Sequence, residues 1–289
     1  MAAESPKPHR SPSEVIQALD RVRRRIDMER RLEFQRFGIP PECLWPATRL
    51  YHAHSALGPG WAPTMSIEEV VAHTTSLDYK SYPLAERFEL PPARPLTSTL
   101  ESVIRRRVSE RSFANEPLPL EACASLLRLG AGMTAQGDVP RRAAPSAGGL
   151  YAVETYPIAL RVEGLDAGVY HYAVLDDNLE LVRRMPAQEV MAEFMPPDLF
   201  SGRPALVLAL SVVFTRVQAK YLERGYRFAL LEAGHIAQNL LLTATALRLG
   251  AVPVGGFWDD PFNEFMGFDP TTEAVVHSVL VGLPEGGRE

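Results

Sequence analysis

The sequence predicts an α+β protein, and three observations carry that prediction. Apolar runs of strand length recur at residues 153–162, 169–174, 205–213 and 274–281. They are interspersed with helical patterns and form few strict strand–helix–strand units. Residues 169–174 and 179–182 flank Asp176-Asp177-Asn178, a hairpin signal. With 289 residues and 46% apolar composition, the chain can bury a sizeable core in one large domain plus an extension.

Composition narrows the function classes. A net charge of −5 argues against a general nucleic-acid or membrane-surface binder. No apolar run approaches the ~20 residues of a membrane helix, and residues 1–13 are polar with no apolar signal core. The two cysteines, Cys43 and Cys123, form no metal or redox motif, so a reducing, cytoplasmic setting is expected. Cations are nearly all arginine, with lysine only at Lys7, Lys80 and Lys220.

In chain order, residues 1–10 read as a lead-in. Ser11 or Ser13 can cap a helix carrying Val15, Leu19, Val22 and Ile26 that ends near Gly38. Residues 45–95 are irregular, rich in Pro, His and aromatics. Residues 1–95 are therefore expected to be a mainly helical accessory segment, and 96–289 the main domain. Tyr51-His52-Ala53-His54 has no supporting Cys/His/Asp cluster, so no metal site is expected. Ser98-Thr99-Leu100-Glu101 has capping-box spacing and opens a helix through Arg107. Residues 120–129 give a second helix, entered through Pro117 and Pro119. A long helical region spans 216–249, broken at Gly225 and stopped by Gly250. Residues 252–257 form a short strand and glycine loop; a short helix starts at Asp259-Asp260-Pro261 and ends near Gly267.

Four constellations can carry chemistry. Arg107, Ser109 and Arg111 follow a helix end, and two guanidinium groups with a hydroxyl suit a phosphate; the bland alternative is a solvated basic face with Arg105 and Arg106. Pro145-Ser146-Ala147-Gly148-Gly149 is a tight loop whose glycines permit positive φ and close approach of a ligand. Lys220-Tyr221 sets an ammonium beside a phenol, which favours the phenolate as a base. Neighbours on a helix diverge by about 100°, so the pair meets only where the helix is irregular. Pro253-Val254-Gly255-Gly256-Phe257 offers a second glycine loop. Glu232-Ala233-Gly234-His235 has the Glu-x-x-His spacing of di-iron bundles, but only one such motif exists. Close helix packing at Gly234, with Glu232, His235, Gln238 and Asn239 bonded at a buried interface, is expected instead.

Taken in order, these residues resemble the FMN-dependent nitroreductase superfamily, and within it the SagB/ThcOx-type peptide azoline dehydrogenases. The resemblance spans residues 100–284. It is carried by Arg107-x-Ser109-x-Arg111, Pro145 to Tyr151, Gly168-Val169-Tyr170-His171-Tyr172, Lys220-Tyr221, the helix 232–240, Pro253 to Phe257 and Val281-Gly282-Leu283-Pro284. The resemblance implies a mostly antiparallel or mixed sheet flanked by helices and a homodimer with FMN at the subunit interface. Arg107, Ser109 and Arg111 would bind the phosphate and ribityl chain. Pro145, Ser146, Ala147 and Gly148 would line the flavin, and Val254, Gly255 and Gly256 would meet its ring. Superfamily members often place a late basic residue on the phosphate; Arg288 is the candidate. Lys220 and Tyr221 match the catalytic pair.

The implied activity is oxidation of thiazoline or oxazoline rings of a heterocyclised peptide to azoles, with a cyclodehydratase or carrier protein as further partner. The alternatives are a thiazoline oxidase of nonribosomal assembly, an NAD(P)H-dependent nitro or ene reductase, and a non-catalytic scaffold of a cyclodehydratase complex.

Overall fold

The computed structural model describes residues 46–57, 69, 79–135, 141–185 and 190–286. The chain divides into two compact units, Met1–Trp61 and Ala62–Glu289. In the first, the described part is helix α1 (Pro46–His54). The expectation of irregular chain from residue 45 onward is corrected there. Pro46 occupies the first helical position, where its fixed φ suits the helix and its missing N–H costs nothing. The helix expected at 15–38 lies outside the described residues.

The second unit runs β1 (Arg87–Glu89), α2 (Leu100–Arg106), β2 (Ser112–Phe113), α3 (Leu120–Ala131), β3 (Met133–Ala135), β4 (Arg141–Arg142), β5 (Val153–Ala159), β6 (Gly168–Ala173), β7 (Asn178–Arg184), β8 (Ser201–Gly202), β9 (Leu206–Val213), α4 (Phe214–Tyr221), α5 (Glu223–Ala246), β10 (Gly250–Val254), α6 (Asp259–Met266) and β11 (Glu273–Gly282). Seven strands form one sheet in the order β1-β7-β6-β5-β9-β11-β10. Every pairing in it is antiparallel. The fold class read from the sequence is thus the one observed.

Alternation along the strands builds a core on each face. On one face α3 and α5 pack through Leu126, Leu127, Ile236, Leu240 and Ala244 against Val153, Leu208, Leu210 and Val279. On the other, Tyr156, Ile158, Val207 and Leu280 meet Phe194, Phe262, Phe265 and Met266. Strand β1, unforeseen in the sequence, is a three-residue edge with the charged Arg87 and Glu89. Short charged edges of this kind resist further strand pairing.

Three local expectations are corrected. The cap of α2 is Thr99, which accepts from Ser102 N at 3.3 Å; Ser98 instead accepts from Arg106 at 3.0 Å. The long helix breaks at Leu222, with φ 49°, and not at Gly225. Gly225 serves a different need: a β-carbon there would lie 2.9 Å from the Val217 carbonyl oxygen, because the first turn of α5 presses on the backbone of α4. Finally, Gly234 has nothing within 4 Å, and the glycine that admits a neighbouring helix is Gly130 of α3, where an added β-carbon would strike Leu240 at 2.3 Å.

Candidate active site

The loop 145–151 leads into β5, and α4 leaves the end of β9. Because β5 and β9 are antiparallel neighbours with Val153 opposite Val212, the two segments emerge at the same end of the sheet. There the loop turns tightly, with Gly149 N donating to Ser146 O at 3.1 Å and positive φ on both sides of Leu150: Gly148 at 65°, Gly149 at 67° and Tyr151 at 46°. For a residue with a β-carbon, as at Tyr151, such a conformation persists only where the surroundings enforce it.

Those surroundings are specific. Ser146 Oγ donates to Glu232 at 2.5 Å and accepts from Tyr151 N at 2.8 Å. Val153 N donates to the other oxygen of Glu232 at 3.1 Å. Arg216 donates to the Tyr151 carbonyl at 3.1 Å and to Glu154. Arg142 N donates to the Tyr151 hydroxyl at 3.1 Å, and the Arg142 guanidinium lies 4.9 Å from the Tyr151 ring centroid. Burial raises the Glu232 carboxyl, and the Ser146 and backbone donors only partly offset that. Glu154 behaves oppositely. Burial would raise it too, but the His171 hydrogen bond and the Arg216 and Arg142 charges prevail and hold it at about 2.

The two halves meet at Gly148. A β-carbon there would sit 2.8 Å from the Tyr221 hydroxyl and 2.9 Å from Lys220 Nζ. Both heads therefore face one backbone position, and only glycine leaves room for them. Lys220 and Tyr221 form the last turn of α4, ended by Leu222 in its unusual conformation. The pair itself is still helical, so the expectation that only an irregular helix lets the two heads meet is corrected; Lys220 Nζ lies 5.0 Å from the Tyr221 ring centroid. Phe228 supports the Tyr221 ring edge-on at 5.0 Å.

The other candidate residues lie elsewhere. Glu110 N donates to Ala251 O at 2.9 Å, and Ala251 pairs with Val281, which pairs with Leu206 at the start of β9. Arg107, Ser109 and Arg111 therefore occupy the opposite end of the sheet from Lys220 and Tyr221. Strand β9 is eight residues long, so the separation is on the order of 20 Å. Arg105 pairs with Glu101, and Arg106 with Ser98 and the Ser102 carbonyl. Among the described residues, Arg107 and Arg111 have no side-chain partner. The basic face is thus half committed, and the two uncommitted guanidiniums are the ones that suit an anion.

Gly255 and Gly256 follow β10 on the outer edge. Neither has positive φ, and their nearest potential contacts are side-chain atoms at 3.9 and 3.8 Å. Nothing within the described chain demands glycine at either position. The Val254 side chain is buried in the second core and its carbonyl accepts from Ser278 at 3.0 Å. Arg288 lies outside the described residues.

Of the helix 232–240, Glu232 is buried and Asn239 donates to Ala143 O at 3.2 Å. His235 and Gln238 are exposed in this chain, which corrects the expected buried interface for those two. Arg216 and Glu154 were missed as site residues. Their signal was slight: an acidic residue inside an otherwise apolar strand run.

The profile of the nitroreductase family matches residues 104–283. The nitroreductase-family protein MJ1384 of Methanocaldococcus jannaschii is 32% identical over 169 residues, spanning 58% of this chain and 83% of that one. The microcin B17-processing protein McbC of Escherichia coli is 34% identical over 139 residues, 46% of this chain and 51% of that one. Among solved structures, a chain of the Escherichia coli microcin synthetase McbBCD complex with truncated pro-MccB17 bound superimposes with a TM-score of 0.57 at 25% identity, covering 87% of this chain and 96% of that one.

Proposed function

Because the chain belongs to the nitroreductase family, we propose that it is an FMN-dependent dehydrogenase that oxidises thiazoline or oxazoline rings of a modified peptide to azoles. The observation that carries this reading is the convergence of Lys220 and Tyr221 on the open backbone of Gly148. A nitro compound needs no base at carbon, whereas ring oxidation requires removal of a carbon-bound proton. The likeness to McbC and to the McbBCD complex supports a peptide substrate and a cyclodehydratase-type partner.

The residues present fit FMN. Arg107 and Arg111, without side-chain partners among the described residues, and Ser109 suit its phosphate and ribityl hydroxyls. The loop 145–148 and the open glycines at 255 and 256 suit a flat ring; Val254 offers only backbone. Ser146 spends its hydroxyl on Glu232 and the Tyr151 N–H, so it contributes through the loop it shapes. Held by these residues, FMN would supply the hydride acceptor for ring oxidation. Tyr221, acting as the phenolate beside the Lys220 ammonium, takes the proton from the ring α-carbon and becomes the neutral phenol.

The two halves of this site stand at opposite ends of one protomer, so we assign the complete site to a homodimer, with Arg107, Ser109 and Arg111 of one copy facing Gly148, Lys220 and Tyr221 of the other. An exposed stripe on α5 supports this: Tyr226, Leu230 and Leu231, preceded by Leu222, lie beside Gly234, which is open to an approaching backbone. No helix among the described residues is long and apolar enough to cross a membrane, and a cytoplasmic setting fits a peptide-modifying role.

The test is incubation of FMN-loaded protein with a thiazoline peptide, read by mass as a loss of two hydrogens, about 2 Da. Tyr221→Phe and Lys220→Ala should retain FMN and lose turnover. Unchanged rates in both would remove the pair from the reaction. The similarity to MJ1384 keeps one rival reading, an NAD(P)H-dependent reductase, which bleaching of the bound flavin by NAD(P)H without any azoline turnover would favour.

A further inference from the structure

The Gly148 turn and the Lys220–Tyr221 pair belong to segments far apart in sequence, and the Tyr221 hydroxyl sits within contact distance of the backbone it faces. Something must hold loop and helix in register. Arg216 does so directly. It lies one turn ahead of Lys220 on α4, and its Nη1 donates to the carbonyl of Tyr151, the strained residue that closes the loop, at 3.1 Å.

Arg216 is itself held from behind. The same nitrogen donates to Glu154, and the two side chains are only 12% and 3% exposed. Glu154 Oε2 meets His171 Nε2 at 3.1 Å, and His171 Nδ1 meets Glu180 Oε2 at 3.0 Å. Glu180 also accepts from Tyr82 N at 2.9 Å and from Arg87 at 3.3 Å. The chain of bonds thus runs from α4 across β5, β6 and β7 to the segment that enters β1. Both ring nitrogens of His171 face carboxylates, so the ring cannot turn without losing a partner. Burying such a set of charges is a poor way to gain stability, since well-packed apolar residues would serve better. Geometric definition of the loop–helix junction is what it supplies.

We propose that Arg216, backed by the buried Glu154–His171–Glu180 series, is a positioning residue that fixes the Tyr221 hydroxyl against Gly148. This rests on the reading above only in assigning Tyr221 a part in turnover. A misplacement of about 1 Å can cost on the order of a hundredfold in rate.

The experiment uses the FMN-loaded full chain with Arg216→Met and Arg216→Lys. Arg216→Met should lower kcat at least about tenfold, with KM and FMN content within about twofold. Combined with Tyr221→Phe it should be no slower than Tyr221→Phe alone, because the two losses are one loss. Arg216→Lys, which keeps a donor for the Tyr151 carbonyl, should recover most of the deficit. Additive losses in the double variant, or unchanged kcat in Arg216→Met, overturn the proposal.

A second arm is independent of the reaction. In protein labelled with 3-fluorotyrosine, the Tyr221 resonance, assigned by its loss in Tyr221→Phe, should shift or broaden in Arg216→Met and return in Arg216→Lys. If the wild-type protein oxidises no azoline while Arg216→Met still shows this shift, the positioning role stands and the proposed substrate is lost. An unmoved resonance discards the positioning role whatever the turnover.

Discussion

At Gly148 a single hydrogen in place of a side chain decides whether Lys220 and Tyr221 can face the loop. Gly148→Ala meets two penalties, a β-carbon at φ 65° and contacts under 3 Å with both heads. We expect a loss of roughly 1–3 kcal/mol in denaturant unfolding and a fall in turnover well beyond what that loss explains. Gly255→Ala is the contrast: with no crowding in the chain, it should leave thermal stability nearly unchanged while weakening FMN retention, read by flavin absorbance after gel filtration. The two buried carboxylates differ in sign. Glu154 is depressed from 4.5 to about 2, so its stabilisation is present above pH 4.5 and lost as pH falls toward 2, on the order of 3 kcal/mol. Glu154→Gln should flatten acid unfolding across that window. Glu232 is raised, so its contribution is fullest below its ordinary value and declines as pH rises through the folded-state value. Glu232→Gln should therefore gain relative stability as pH rises above the ordinary carboxylate value, measured by urea unfolding at about pH 4 and about pH 8.

At the scale of elements, the junction between α4 and α5 concentrates the constraint. Leu222, at φ 49°, separates α4 from α5, and α5 then starts close enough to α4 that a β-carbon at position 225 would lie 2.9 Å from the Val217 carbonyl oxygen. Gly225→Val should separate the helices and cost about 2–3 kcal/mol by chemical denaturation, since the obstructing atoms are backbone and cannot rotate away. The helical period announced one long helix with an interruption, and it was observed; the place of the interruption was not legible. Glycine is the residue that sequence patterns flag as a breaker, whereas here the break falls on a leucine, at φ 49°.

For the whole molecule, the sheet separates the anion-binding candidates from the Lys220–Tyr221 pair by its full length. Two copies offer a way to unite them, and complementation measures it. Arg107→Ala and Tyr221→Phe proteins should each be nearly inactive. Mixed, unfolded and refolded together, they should recover up to about a quarter of wild-type turnover, because half the dimers are mixed and each of those holds one intact site. No recovery in mixtures shown by mass to contain heterodimers would place both residue sets in one protomer's site.

What the sequence determined by itself was the fold class, the hairpin, the core strands and the ordered motifs: these rest on local periodicity and on residue types with strong backbone preferences, which adjacent positions are enough to express. Ser146 turning to Glu232, Arg216 reaching Tyr151 and Glu154, and the distance between Arg107 and Tyr221 were decided only in three dimensions. Each depends on which strand ends the antiparallel pairing brings together, and on buried polar groups finding partners from remote segments, which no one-dimensional spacing encodes.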